Sequence, residues 1–173
     1  MKKGQIQLYT GDGKGKTTAA VGLTLRAVGE GMRVLFVQFM KSVPSGEIEM
    51  LKRCGGSDVE ILRNWDDSFI IGKPSAKQIA MCHDLWKRVR RKIDTFKPDI
   101  LVLDEIAVAI SYGLVDEDTV LEFLKNRPQS LEVVMTGRDA SERLIASSTL
   151  VTEMRKIKHY YDQGVMARKG IEY

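Results

Sequence analysis

The sequence predicts a single α/β domain whose core is a mostly parallel β-sheet, and three observations carry that prediction. Short apolar runs alternate with longer stretches at helical spacing, which is typical of repeated β-α-β units. The runs are rich in Ile, Leu and Val, as strands covered by helices on both faces should be. The length of 173 residues, without an internal repeat or a linker, fits one domain over residues 1–173.

Six apolar runs predict the strands, at residues 5–9, 33–39, 59–62, 99–104, 131–135 and 150–151. Apolar spacing and stop signals predict the helices, at residues 16–29, 47–54, 79–96 and 115–125. The first helix closes on a glycine, Gly55 and Gly56 end the second, and Pro128 lies beyond the last. The region between the third strand and the long helix, residues 63–75, is predicted to be a functional loop.

The charge balance is mildly basic. Lys and Arg number 27 against 23 Asp and Glu, which gives a formal net charge of +4 and suits anionic ligands such as phosphates. Five basic residues lie on the outer face of the long helix: Lys87, Arg88, Arg90, Arg91 and Lys92. A charge run on such a face is ordinarily solvated, so we expect no nucleic-acid partner.

The two cysteines, Cys54 and Cys82, are too few for a disulfide framework or a zinc site. We predict that both are buried thiols in a reducing compartment. No stretch of about 18 uninterrupted apolar residues is present, and the start of the chain has no long apolar segment. We therefore expect a cytoplasmic protein without a membrane partner.

A glycine-rich segment follows the first strand and opens the first helix: Thr10-Gly11-Asp12-Gly13-Lys14-Gly15-Lys16-Thr17-Thr18. Glycines let successive backbone N–H groups curl towards a polyphosphate, and the helix N-terminus adds its positive dipole end. Lys16 would add a positive charge, and the Thr17 hydroxyl is placed to join the coordination shell of Mg²⁺. The segment predicts an ATP-binding P-loop, although Thr10 replaces the usual first glycine. The fold expected is therefore a P-loop NTPase-like three-layer sandwich.

Two carboxylates end the fourth predicted strand. Asp104 and Glu105 follow an apolar run, and the carboxyl ends of parallel strands are where ligands bind in open α/β sheets. The pattern resembles a Walker B strand, so we expect one or both acids, together with Thr17, to hold Mg²⁺ or Mn²⁺. Lys16, Thr17 and Glu105 are the candidate catalytic residues; in a hydrolase, Glu105 would position the attacking water.

The whole chain resembles the ATP:corrinoid adenosyltransferase family, whose loop also carries threonine in place of the first glycine. The similar segments follow one another in order, at residues 9–20, 26–29, 37–41, 102–105, 136–138, 151–154, 158–159, 164–165 and 167–173. The resemblance adds Arg26 to the candidate cofactor-binding residues. Arg138 follows the fifth strand, so it is expected to contact phosphate at the same sheet edge.

The resemblance implies adenosyl transfer, in which a corrinoid reduced to cobalt(I) attacks the 5′ carbon of ATP and releases triphosphate. The positive charges of the loop would stabilise the negative charge that grows on the leaving group. In the family the nucleotide is reversed relative to ordinary P-loop enzymes. The resemblance also implies a reductase that supplies the electron, and a homodimer.

Members of the family place aromatic side chains against the lower face of the corrin, from the loop before the long helix. Trp65 matches one of them, whereas Arg63 stands where phenylalanine is common, and Phe69 is the candidate substitute. Two further departures are Asp12 in place of the usual asparagine and Thr149 in place of aspartate. The amino-terminal helix that many members fold over the corrinoid is not expected here.

Two other functions remain open from the residues alone. The P-loop and the acid pair would also serve an NTPase that hydrolyses ATP to ADP and phosphate. Alternatively, the protein could be a non-catalytic nucleotide- or corrinoid-binding module that uses ATP to set its conformation, with the basic helix contacting another macromolecule. The released product discriminates among the three: triphosphate, diphosphate with phosphate, or none.

Overall fold

A computed structural model describes residues 3–66, 68, 70 and 72–173. Its centre is a six-stranded sheet in which every neighbouring pair is parallel. The strands, in chain order, are β1 (Ile6–Thr10), β2 (Val34–Gln38), β3 (Val59–Arg63), β4 (Ile100–Asp104), β5 (Glu132–Thr136) and β6 (Leu150–Glu153). Their spatial order is β3-β2-β4-β5-β1-β6. All six predicted strands are confirmed.

Within the described part of the chain, six α-helices connect the strands: α1 (Lys16–Gly29), α2 (Gly46–Cys54), α3 (Ala76–Phe96), α4 (Ile106–Ser111), α5 (Glu117–Asn126) and α6 (Glu142–Ser147). A short 3₁₀ helix, Tyr160–Gln163, follows β6. The sequence predicted the four longest helices but not α4, α6 or the 3₁₀ turn. These pieces are four to six residues long and therefore show no helical period.

Helices cover both faces of the sheet, because alternate strand residues point to opposite sides. On one face, Phe36 and Val102 pack with residues of α1 and α2, such as Ala20 and Ile48. On the other face, the second core contains side chains of β2 and β4 together with α3 to α6. The three-layer α/β prediction is confirmed.

The topology determines which residues meet at the functional edge. Because all strands are parallel, Thr10, Gln38, Arg63, Asp104, Thr136 and Glu153 lie at the same edge. Strand β5 lies between β1 and β4. The glycine-rich loop after β1 and the acid pair after β4 are thus separated by one strand that contributes Thr136.

The cysteine prediction is half wrong. Cys82 is buried in α3, and burial raises the pKa of its thiol to about 11. Cys54 is exposed, because it is the last residue of α2, beyond the apolar positions that face the sheet.

The basic face of α3 is partly occupied by contacts within the chain. Arg88 donates a hydrogen bond to the Arg63 carbonyl, and Lys92 forms a 2.6 Å ion pair with Glu60. Within residues 3–66, 68, 70 and 72–173, no helix combines the length and apolar character needed to cross a membrane.

Candidate active site

The loop after β1 depends on its glycines for two different reasons. Gly11 and Gly15 adopt φ values of 92° and 120°, which side chains rarely tolerate. Gly13 lies so close to the chain beyond β6 that an added Cβ would come within 2.6 Å of the Met154 carbonyl oxygen. Its N–H donates a 2.6 Å hydrogen bond to that same oxygen. The segment after β6 therefore packs against the outer side of the loop and stabilises its conformation.

Lys16 is almost fully buried at the first position of α1. Its Nζ donates hydrogen bonds to the carbonyl oxygens of Gly11 and Gly13, at 2.7 Å and 2.8 Å. Burial and the nearby Arg138 guanidinium lower the pKa of the Lys16 ammonium. The loop thus folds around its own lysine, which concentrates a positive charge inside the loop.

A cavity of about 290 Å³ opens above the loop. Its lining contains eight of the predicted site residues: Gly13, Lys14, Gly15, Lys16, Thr17, Thr18, Glu105 and Arg138. It also contains Lys41, His159 and Glu172, which are not among the site residues predicted from the sequence. Four of the lining side chains carry the basic group of a lysine or an arginine, namely Lys14, Lys16, Lys41 and Arg138. The cavity is suited to a polyphosphate.

Asp104 lies fully buried beneath this cavity and organises its floor. Its Oδ1 accepts hydrogen bonds from the hydroxyls of Thr17 and Thr136, at 2.9 Å and 2.7 Å. Its Oδ2 accepts from Lys41 Nζ at 2.8 Å and from Gln38 Nε2 at 3.2 Å. Residues from β2, β5 and α1 therefore converge on one carboxylate, as its position at the centre of the sheet edge requires.

Glu105 immediately precedes the short helix α4 and adopts a left-handed conformation, with φ of 63°. Its backbone N–H donates to the Thr136 hydroxyl at 2.9 Å, and its carboxylate faces the cavity. Burial raises the pKa of this carboxyl, while Lys41 opposes that increase. The predicted pair thus divides into a buried acid held by four neighbours and a second acid that reaches the cavity.

Lys41 is a central residue that sequence reasoning did not select. Its Nζ lies 3.0 Å from Thr17 Oγ1, 2.8 Å from Asp104 Oδ2 and 3.6 Å from Glu105 Oε1. Although burial lowers the pKa of Lys41, the two carboxylates outweigh that effect and raise it. Lys41 lies just beyond β2, which neighbours β4 in the sheet. Had that strand order been known, it would have been enough to predict that Lys41 lies near the acid pair.

Asp12 does not face the phosphate cavity. Its Oδ1 accepts a 2.9 Å hydrogen bond from the backbone N–H of Lys156, and this bond lowers the pKa of the Asp12 carboxyl. The backbone carbonyl of Thr10 is also hydrogen-bonded within the fold, since it accepts from the Met154 N–H at 2.9 Å. The Asp12 side chain therefore lies at the outer part of the loop, whereas Thr10 is buried at the end of β1, and Gly11 contributes through its carbonyl.

Arg138 and Arg26 have different positions relative to the cavity. Arg138 follows β5 and lines the cavity; among the described residues it makes no ion pair. Arg26 lies exposed in the last turn of α1, ten residues beyond Lys16, which is about 15 Å along the helix axis. The structure therefore brings Arg138 to the loop and does not bring Arg26 there.

A second cavity of about 250 Å³ lies beside the first, between the loop after β3 and the start of α2. Met40, Val43 and Trp65 give it an apolar wall, and Trp65 is half-buried against the core. The indole N–H of Trp65 donates to the Ser68 carbonyl at 3.0 Å. Arg63 donates to the Val43 carbonyl at 2.9 Å. The predicted substitute aromatic, Phe69, lies outside the described residues.

The carboxyl-terminal segment covers the junction of the two cavities. Lys14 Nζ donates to the Ile171 carbonyl at 2.9 Å and lies 4.0 Å from Glu172. Arg168 and Tyr160 both bond the Glu172 carboxylate and lower its pKa to about 2. Glu172 lines both cavities, so this segment joins them. Sequence reasoning matched the segment to a family but gave it no role.

A family profile described as ATP:corrinoid adenosyltransferase BtuR/CobO/CobP matches residues 2–173. The chain belongs to the ATP:corrinoid adenosyltransferase family. A corrinoid adenosyltransferase of a Sinorhizobium species is 35% identical over 174 residues, covering 99% of this chain and 81% of the relative. The corrinoid adenosyltransferase of Escherichia coli K12 is 34% identical over 176 residues, covering 99% of this chain and 87% of the relative. The predicted family resemblance is confirmed.

Solved structures with other descriptions share the fold of this adenosyltransferase family. The cytoplasmic domain of EssC superposes with a TM-score of 0.58 at 17% identity, covering 96% of this chain and 34% of that one. ATPases 2 and 3 of EssC from Geobacillus thermodenitrificans give a TM-score of 0.52 at 13% identity, covering 96% and 35%. At these identities the likeness concerns the fold alone, and it agrees with the predicted P-loop architecture.

Proposed function

We propose that this protein transfers the 5′-deoxyadenosyl group of ATP to the cobalt(I) of a reduced corrinoid and releases triphosphate. The observation that carries the proposal is the junction of two unlike cavities at Lys41 and Glu172. One cavity is cationic and built on a P-loop, and the other has an apolar wall that includes Trp65. Such a pair suits a reaction that brings a nucleotide and a large, partly apolar ring together. Family membership supports the same activity.

The cationic cavity supplies what the leaving group needs. As the bond to the 5′ carbon breaks, negative charge grows on the triphosphate, and fixed positive charges lower the energy of that change. Lys16, Lys14 and Arg138 line the cavity and are assigned to the phosphates. Cobalt(I) is itself a strong nucleophile, so the protein needs no general base. Its contribution is to orient the 5′ carbon and to stabilise charge.

The oxygens at the floor of the cavity fit a magnesium ion. Thr17, Asp104 and Glu105 present hydroxyl and carboxylate oxygens, which Mg²⁺ prefers. Lys41 Nζ already lies within 3.6 Å of all three, which identifies their meeting point as one that attracts a cation. Mg²⁺ or Mn²⁺ bound there would neutralise phosphate charge. We assign Thr17 and Glu105 as candidate ligands and Asp104 as the acid that orients Thr17.

The apolar cavity is assigned to the corrinoid. Trp65 presents a flat aromatic surface that would favour a corrin without its lower axial ligand, which makes the cobalt easier to reduce. Arg63 is held by the Val43 carbonyl at the same cavity and would face polar groups at the ring's edge. Reduction to cobalt(I) requires an electron donor, so we also propose a reductase as partner.

The assembly and the compartment are further parts of this proposal. The edge strand β6 exposes Leu150 and Val151, and an exposed apolar edge favours pairing with another chain. We therefore propose a homodimer, which light scattering would detect as twice the chain mass of 19.5 kDa. Cys54 and Cys82 are both free thiols, which supports the reducing cytoplasm.

The deciding experiment is anaerobic incubation with ATP, Mg²⁺ and chemically reduced cobalamin. The expected result is light-sensitive adenosylcobalamin, followed by its absorbance, together with an equal amount of triphosphate. Diphosphate and phosphate without a cobalt–carbon bond would contradict adenosyl transfer and indicate an NTPase. Absence of any product with cobalamin and with a precursor corrinoid would indicate a binding module.

A further inference from the structure

The ammonium of Lys41 lies where a cation would be expected to bind. It donates hydrogen bonds to Asp104 Oδ2 at 2.8 Å and to Thr17 Oγ1 at 3.0 Å, and it lies 3.6 Å from Glu105 Oε1. Asp104 is fully buried, so its charge needs a partner inside the fold. Lys41 is that partner, and its ammonium also lies against Thr17 and Glu105, the two residues assigned to the metal.

Lys41 in this position and a magnesium ion exclude each other. Mg²⁺ binds oxygen at about 2.0–2.1 Å and requires near-octahedral geometry. An ion bonded to Thr17 Oγ1 and facing the two carboxylates would fall within contact distance of Lys41 Nζ. Two positive charges at that separation, in a partly buried site, repel strongly. One of them must leave before the other can bind.

The Lys41 side chain has space into which it can move away from the acid pair. Its side chain is one-third exposed, and it lines three adjoining cavities rather than one. The preceding residue, Met40, has a φ of 54°, a backbone conformation that side chains rarely adopt. The fold therefore presents Lys41 to the acid pair from a strained turn, and space on its other sides would admit the displaced side chain.

We propose that Lys41 is a built-in counter-cation that keeps free divalent metal out of the Thr17–Asp104–Glu105 site until a nucleotide brings the metal with it. A polyphosphate supplies negative charge that holds both the metal and the displaced ammonium, so their repulsion is offset only in the complex. Metal and nucleotide would then bind as a unit. The inference rests on the proposed metal site and not on the identity of the group transferred.

The test is Mn²⁺ binding to the nucleotide-free protein, measured by the electron paramagnetic resonance signal of the unbound ion. Wild-type protein is expected to bind Mn²⁺ weakly, and Lys41→Met to bind at least about tenfold more tightly, because a competing unit charge has been removed. Lys41→Arg keeps the charge and is expected to stay weak. Lys52→Met removes one positive charge from an exposed pair with Glu49 and is the matched control.

Lys41→Gln guards against loss of folding in Lys41→Met, since it keeps a donor for Asp104 while removing the charge. A gain in Mn²⁺ affinity in either folded Lys41 variant, but not in Lys52→Met, supports the proposal. Unchanged affinity in both, or an equal gain in the Lys52 variant, overturns it. The measurement contains neither ATP nor corrinoid, so failure of adenosyl transfer would leave its outcome interpretable.

Discussion

The site has two halves, the phosphate cavity on the P-loop and the cavity beside Trp65, and the two differ in how firmly the fold holds them. The phosphate half stands on the centre of the sheet, where the buried Asp104 accepts hydrogen bonds from residues on two strands and two other segments. The Trp65 half stands on a loop after the edge strand β3, and the indole bonds a carbonyl only three residues away. The comparison indicates that the phosphate half is preorganised, whereas the Trp65 half, which has fewer anchoring contacts, can adjust to the corrinoid proposed to bind there.

Lys16→Ala tests the preorganised half and should have the largest effect. Removing the charge inside the loop is expected to lower kcat/KM for adenosyl transfer by about 10²–10³-fold, as for a lost donor in other charge-stabilising sites. Anaerobic kinetics of adenosylcobalamin formation measure it. Lys14→Ala is the control, because Lys14 belongs to the same loop but is more exposed and reaches the Ile171 carbonyl. Equal losses in both variants would contradict the central role of Lys16.

Trp65→Ala tests the adjustable half. We expect transfer to the corrinoid to fall about fivefold, because one aromatic contact is worth roughly 1 kcal/mol, with ATP affinity unchanged within about twofold. Calorimetric ATP binding and anaerobic kinetics separate the two effects, and Trp65→Phe should retain most activity. A loss of ATP affinity that matches the loss of transfer would count against an assignment of Trp65 to the corrinoid.

Sequence could predict the geometry of the phosphate half well and that of the Trp65 half poorly, for a physical reason. A P-loop is local: strand, glycines, lysine and helix follow one another within residues 6–29, so the pattern carries the geometry. Asp104 was also predictable, because a carboxylate that ends a buried strand must lie at the sheet edge. Lys41 was missed because its role depends on β2 lying beside β4, a neighbourhood that chain order does not specify.

The same reasoning explains the other differences. Arg26 was proposed from a matched segment, but α1 carries it to the helix end opposite the loop. The tail was matched by sequence, yet its contact with Lys14 joins residues 157 positions apart, which no local pattern predicts. Cys54 was expected to be buried because cysteine usually is, but its place at the last turn of α2 exposes it.

Glu172→Gln tests whether the tail links the two halves. Pairing with Arg168 and Tyr160 holds the pKa of Glu172 at about 2, below its ordinary 4.5, so the contact is complete above pH 4.5 and is lost as the pH falls towards 2. At neutral pH the variant should therefore be cleaved by trypsin after Arg168 or Lys169 about two- to fivefold faster, since exposed ion pairs contribute modestly. Mass spectrometry identifies the cut.

Glu142→Gln is the control for the tail, because it removes an exposed acid from α6 instead. If the tail joins the halves, ATP should change the cleavage rate of the wild-type chain by drawing Lys14 away from the Ile171 carbonyl. Equal cleavage rates in wild type and Glu172→Gln would show that the ion pair does not hold the segment in place.

Asp12→Asn should have the smallest effect, and it tests whether the phosphate half of the site is preorganised. The Asp12 Oδ1 accepts the Lys156 N–H at the outer part of the loop, and asparagine keeps an oxygen for that bond. We expect kcat/KM to change by no more than about twofold. Asp12→Ala, which removes the acceptor, should lower the unfolding temperature more than Asp12→Asn does. A large activity change in Asp12→Asn, without a change in stability, would mean that the carboxylate turns towards the phosphates during the reaction and that this half, too, rearranges.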